Sequence, residues 1–258
     1  LLVCCIHGFS SLVTILVESS IAGHLPEPLE IDTADHRGLT PLNCAAIKGD
    51  AELVKTLVSR GQADVNQTSP KGCTPLMYAG RGGFSEVVQY LLSKRASPLK
   101  QDNAGGTVLH HCIEKGHLSV VEVLLEHGVD VYSAIEIADN AGRTPIFEAV
   151  EIEEPEGEIP AAGTETRIEE IIRILTKPRR RIDGGFGAKV NLVNYNGQSP
   201  LFSAVKNGNF TAVKALVEAG ADQAELERLQ AEKAAAEEAL KAGKAVLGRS
   251  VPRGEKAA

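Results

Sequence analysis

Apolar residues recur along the chain as pairs four residues apart. They stand at Leu12-Val13 with Leu16-Val17, Leu53-Val54 with Leu57-Val58, and Val87-Val88 with Leu91-Leu92. The series continues at Val120-Val121 with Leu124-Leu125 and at Ala212-Val213 with Leu216-Val217, with a partial copy in Ile171-Ile172 and Leu175. Spacing of i, i+1, i+4, i+5 predicts a short helix with one wide apolar stripe. A short helix with one such face is not stable alone, so neighbours must cover it. A glycine precedes most of these pairs by four residues: Gly8, Gly49, Gly83, Gly116 and Gly208. Glycine there accepts the positive φ that ends a preceding helix.

Upstream of each such turn the chain returns to one phrase. It reads GLTPLNCAA from Gly38, GCTPLMYAG from Gly72, GTVLHHC from Gly106, GRTPIFEAV from Gly142 and GQSPLFSAV from Gly197. Counted at the Thr or Ser, the copies begin 34, 33, 37 and 55 residues apart. A period near 33 predicts stacked supersecondary units. The Thr or Ser is placed to cap the first helix, and the following Pro suits its first position, where the missing N–H costs nothing.

Composition adds limits. Hydrophobic residues make up 43% of the 258, enough for a core, but only 4% are aromatic and Trp is absent. Ala, Leu and Val must therefore do the packing. A net charge of −7 argues against generic nucleic-acid binding, which needs a basic footprint. The odd set of cysteines (4, 5, 44, 73 and 112) reads as reduced small hydrophobes, because disulfides are rare in reducing compartments. The segment Leu1–Val17 is broken by His7, Gly8, Ser10 and Ser11, so it is read as a truncated repeat rather than a membrane span. On this reading the chain is a piece of a longer protein.

These copies resemble the ankyrin repeat, a β-turn finger followed by two antiparallel helices with a T-P-L-H-x-A signature. Residues 35–68 follow that pattern almost throughout. The resemblance implies an all-α ankyrin-repeat solenoid over 1–222, with about six units near 1–34, 35–68, 69–101, 102–138, 139–193 and 194–222. The first unit is truncated. The signature His survives only as His110; Asn43, Met77, Phe147 and Phe202 replace it elsewhere. The fifth unit carries insertions near 153–166 (acidic) and 178–188 (basic), and Arg167 takes its turn-Gly slot. A charged helix over 223–247 and a flexible tail over 248–258 complete the expectation.

The search for chemistry finds no catalytic, cofactor or metal site. His110, His111, Cys112 and His117 cluster in sequence, but adjacent residues point around a helix in different directions. Gly80–Gly83 and Gly184–Gly187 lack the strand and Lys-Ser/Thr of a phosphate loop. The Glu151–Glu158 run is solvated, and Lys177 with Arg179–Arg181 reads as an exposed basic loop. The chain is therefore expected to be a non-enzyme that needs no cofactor.

The resemblance implies a concave face built from finger tips and first helices. Its candidate partner-binding residues are Arg37, Tyr78, Arg81, His111, Asn140, Glu148 and Tyr195, Tyr and Arg being the types enriched at hot spots. The function expected is a protein-interaction scaffold, cytoplasmic or nuclear and monomeric. It binds another protein and contacts neither nucleic acid nor membrane. The alternative is a regulatory segment of a larger enzyme or channel.

Overall fold

The computed structural model describes residues 1–25, 27, 29–127, 133–152, 166–177 and 187–235. The described residues form helices and turns with no strand. Helix pairs follow one another along the chain: α1 (Leu2–His7) with α2 (Ser10–Ile21), α3 (Pro41–Lys48) with α4 (Ala51–Ser59), and α5 (Pro75–Arg81) with α6 (Ser85–Ser93). Then come α7 (Val108–Glu114) with α8 (Leu118–Glu126), α9 (Pro145–Val150) with α10 (Arg167–Thr176), and α11 (Pro200–Asn207) with α12 (Phe210–Glu218). A last helix, α13, runs through 223–235. Most of both fifth-unit insertions, the Arg179–Arg181 knot, the rest of the C-terminal helix and the tail lie outside the described residues.

Two rows result. Odd-numbered helices from α1 to α11 pack each on the next, and even-numbered helices from α2 to α12 do the same behind them. The predicted stripes lie where the rows meet: Leu53, Val54, Leu57, Val87, Val88, Leu91, Val120, Val121, Leu124 and Leu125 are all at 0–1% exposure. Burying one such side chain stabilises by about 1.5–3 kcal/mol. At α2, which has a neighbour on one side only, the stripe residue Leu12 stays 45% exposed. Coverage therefore comes from adjacent units. The break at Gly8 divides the apolar N-terminal segment into two helices, and no helix among the described residues is long and apolar enough to cross a membrane.

The inter-helix glycines adopt φ of 67–77° at Gly8, Gly49, Gly83, Gly116 and Gly208, the left-handed conformation that other residues resist. Arg167 differs from its expected role as a turn residue: it opens α10. Thr166 caps that helix reciprocally with Glu169, so the helix starts two residues earlier relative to its apolar pair than α4 does. At the first helices Thr40, Thr74 and Ser199 accept from the N3 amides as predicted, at 3.2, 3.3 and 3.0 Å. Thr144 does not, because its carbonyl already takes the Phe147 N–H at 2.9 Å.

His110 shows what the signature residue does. Its Nδ1 accepts the Thr107 N–H at 3.1 Å, and its Nε2 then donates to the Arg143 carbonyl of the next unit, also at 3.1 Å. Asn43 fills the same place in the second unit, fully buried, and neither its amide nitrogen nor its oxygen has a partner. Unpaired buried polar atoms cost about 1–3 kcal/mol.

Two expectations follow. Leu91→Asp, which puts an uncompensated charge between α4, α6 and α8, should cost about 3–5 kcal/mol in denaturant unfolding; an unchanged midpoint would contradict the helix register. Asn43→His should instead raise stability by about 1 kcal/mol, by recreating the His110 bridge. A lowered midpoint would show that the ring does not fit there.

Candidate functional site

The fingers are built on one side chain. In four units the finger opens with Asp or Asn, whose Oδ1 accepts two backbone N–H groups. Asp35 holds Arg37 and Leu39, Asp102 holds Ala104 and Gly106, Asp139 holds Ala141 and Arg143, and Asn194 holds Asn196 and Gln198, all at 2.8–3.0 Å. Adjacent tips are then stitched together. The amides of Asn103, Asn140 and Tyr195 donate to the carbonyls of Lys71, Ala104 and Ala141. Pro70 has no N–H to give, and the second and third fingers meet instead through its ring against Gly38.

Behind the tips, the residue after the signature position points back at the finger of its own unit. Tyr78 donates its hydroxyl to Ser69 at 3.0 Å, and His111 Nε2 lies 3.0 Å from Asp102 Oδ2. In the next unit Glu148 and Asp139 are bridged by Arg143, each at 3.0 Å, and Arg143 also reaches Glu151 at 3.1 Å. These groups surround a recess of about 360 Å³ lined by Asp102, His111, Glu114, Asp139, Arg143 and Glu148, among others. A second hollow, of about 290 Å³, lies on the other row between α10 and α12, with Lys214 bonded to Glu169 at 2.8 Å along it.

Charge is unevenly placed in the recess. Burial pushes the Glu148 carboxyl up to about 7; Arg143 opposes the shift, while Glu151, Glu114 and Asp139 add to it. Arg143 is held above its ordinary value by Glu148 and Asp139 in spite of its burial. Glu114 is lowered, its burial outweighed by Lys115 with help from Arg81 and His111. The Tyr78 hydroxyl is raised, chiefly by burial.

Of the seven residues expected from sequence, His111 and Glu148 line this recess. Tyr78 and Arg81 sit one unit away, Tyr78 half-buried and Arg81 exposed on the same row of first helices. Arg37 pairs with Asp35 at its own finger, Asn140 donates its side-chain amide to the Asn103 carbonyl, and Tyr195 is 78% exposed at the last tip. Asp102, Asp139 and Arg143 were missed. The two aspartates had a signal, an acidic residue four positions before the residue preceding the capping Thr in three of five units, while Arg143 stands in a slot held elsewhere by Leu39, Cys73, Gly106 and Gln198.

The four residues His110, His111, Cys112 and His117 do not converge on one point. His110 bonds Arg143, Cys112 Sγ turns to the Leu109 carbonyl, and His117 Nε2 contacts the Arg81 carbonyl. His111, however, comes near Cys73 as well as Asp102, a grouping from two units that sequence spacing concealed. It does not make an activated nucleophile. Burial and the adjacent Asp102 both raise the Cys73 thiol, the opposite of what a reactive cysteine needs. The five cysteines form no disulfide.

Comparison with known proteins agrees with this geometry. The family model described as ankyrin repeats in three copies matches residues 1–102 and 81–156, and the single ankyrin repeat model matches residues 196–225. A crystal structure of the ankyrin repeat protein EF0377 is similar at 27% identity and a TM-score of 0.65, covering 84% of this chain and 95% of that one. An ankyrin repeat domain from Acinetobacter baumannii AYE is similar at 25% identity and a TM-score of 0.62, covering 85% of this chain and 97% of that one. No curated protein matches. With its family models spanning well over half the sequence and its helix rows and fingers in place, the chain belongs to the ankyrin-repeat family.

Proposed function

We propose that the chain is a non-catalytic protein-interaction module whose partner lies along the concave face of finger tips and first helices. Ankyrin repeats are generally protein-interaction modules, and this reading extends that role to a surface. The observation that carries it is the row of polar groups formed by half-buried Tyr78, His111 and Arg143 with buried Glu148, held ready by finger side chains. Side chains already fixed by neighbours lose little rotamer entropy on binding. The recess among them is acidic, with Asp102, Glu114, Asp139, Glu148 and Glu151 against Arg143.

Arg81→Glu and Tyr195→Ala alter exposed groups at either end of this surface, and each should hold stability within about 1 kcal/mol. Binding partners captured by the wild-type chain should be lost from the double variant and kept by Lys55→Ala on the opposite row. Equal capture by all three chains would move the interface away from this face.

Glu148 makes a separate pH expectation. Its folded pKa, near 7, exceeds the ordinary 4.5, so between these values the folded state holds a proton that the unfolded state has released. Stability from this group therefore falls as pH rises through that window. Glu148→Gln removes the titration, and its stability relative to wild type should improve from pH 5 to pH 8. Parallel pH profiles in urea unfolding would rule this out.

A further inference from the structure

Three metal-ligating atoms from separate parts of the chain meet beside the recess. Cys73 Sγ lies 3.7 Å from Asp102 Oδ2, His111 Nε2 lies 3.0 Å from the same oxygen, and all three donors fall within 4.8 Å of one another. Tetrahedral zinc has Zn–S of about 2.3 Å and Zn–N or Zn–O of about 2.0–2.1 Å, which puts its donors roughly 3.3–3.5 Å apart. The two measured edges straddle that value.

We infer that Cys73, Asp102 and His111 form a binding site for one borderline-soft divalent cation of the zinc type, its fourth position turned toward the recess. The donor set selects this class. A thiolate with an imidazole suits zinc and cobalt, whereas magnesium and calcium need oxygen ligands throughout. On binding, the Cys73 thiol gives its proton to solvent and its sulfur lone pair to the metal. Thiolate and carboxylate then balance the two positive charges, with the imidazole neutral.

The ligands are also held in advance. Asp102 Oδ1 is committed to the amides of Ala104 and Gly106 at 2.9 Å, which aims Oδ2 at the other two donors. Support of this kind from outside the ligand shell orients a metal site. The side chains of Asp102 and His111 are only 8% and 15% exposed, and Cys73 is 7% exposed, so water competes weakly. The set belongs to this junction alone. At the same positions of the other junctions stand Leu39, Ser69 and Tyr78, then Gly106, Asp139 and Glu148, then Arg143, Asn194 and Ser203. The arrangement is therefore a feature of this sequence rather than of the repeat.

The test is Co²⁺ titration of the full, chelator-treated chain, read by absorption, with Zn²⁺ as competitor. One equivalent should give a thiolate-to-cobalt charge-transfer band in the near ultraviolet with four-coordinate visible bands, all abolished by Zn²⁺. Cys73→Ser, His111→Gln and Asp102→Asn should each weaken binding by more than about 100-fold, beyond the loss seen for outer-shell partners. Asp102→Asn keeps the Oδ1 that holds the finger, so it decides the matter if serine at 73 disturbs folding, as checked by circular dichroism. Cys44→Ser should leave the spectrum unchanged. Absence of the band in the wild type, or its survival in folded Cys73→Ser or Asp102→Asn, overturns the site.

Discussion

Lateral cover of apolar stripes is the constraint on which this structure depends. Each even-numbered helix offers Leu and Val pairs on one flank, and only the preceding and following units can shield them. The contacts are between neighbours, so stability propagates along the stack as a sum of unit and interface terms. The contrast between Leu53, fully buried, and Leu12 at the equivalent position, 45% exposed, shows the same pattern with and without a second neighbour. Small side chains make this close stacking possible: Ala45, Ala46, Ala79, Ala149 and Ala204 all lie at 0–1% exposure along the first helices.

Stacking sets the distance between units, and the fingers fix their register. In four units one carboxylate or amide oxygen closes the finger, and from the third unit onward single backbone hydrogen bonds link successive tips. Only one oxygen of each Asp is spent on this. The second goes to Arg37 at the tip for Asp35, but is directed inward where Asp102 meets His111 and Asp139 meets Arg143. Structural duty thus leaves a row of partly satisfied polar groups at a fixed spacing, and the residue after the signature position decides what each group becomes.

The helices, their glycine turns and their caps were legible in the sequence because each rests on short-range chemistry repeated in register. Thr40-Pro41 and Gly49 announce a helix start and stop whatever surrounds them. Two misreadings were local, where one short-range signal displaced another, and the rest depended on contacts between units. Arg167 looked like a substitute for a turn glycine, yet Thr166 and Glu169 make it the first residue of a helix. Thr144 matched the capping residue by sequence, but a carbonyl took its place. The site was legible in part: His111 and Glu148 were found by their outward position, whereas Asp102, Arg143 and Cys73 were overlooked. Cys73 and His111 are 38 positions apart, and only the stacking of one unit on the next brings them together.

The inner face therefore differs in kind from the buried interface behind it. In the interface, substitution is limited by volume: Leu, Val and Ala exchange places while the stripe persists. On the face, positions equivalent to His111 carry Cys44, Tyr78, Glu148 and Ser203, which share neither size nor charge. Tyr78, His111 and Glu148 each bond to the finger of their own unit, whereas Cys44 is small enough to join the buried core. Where a side chain is tied to its own finger, its identity can change with little effect on the stacking behind it. The pairing of Glu148 with Arg143, the hydroxyl contact of Tyr78 and the Cys73–Asp102–His111 grouping are three different uses of that freedom on one scaffold.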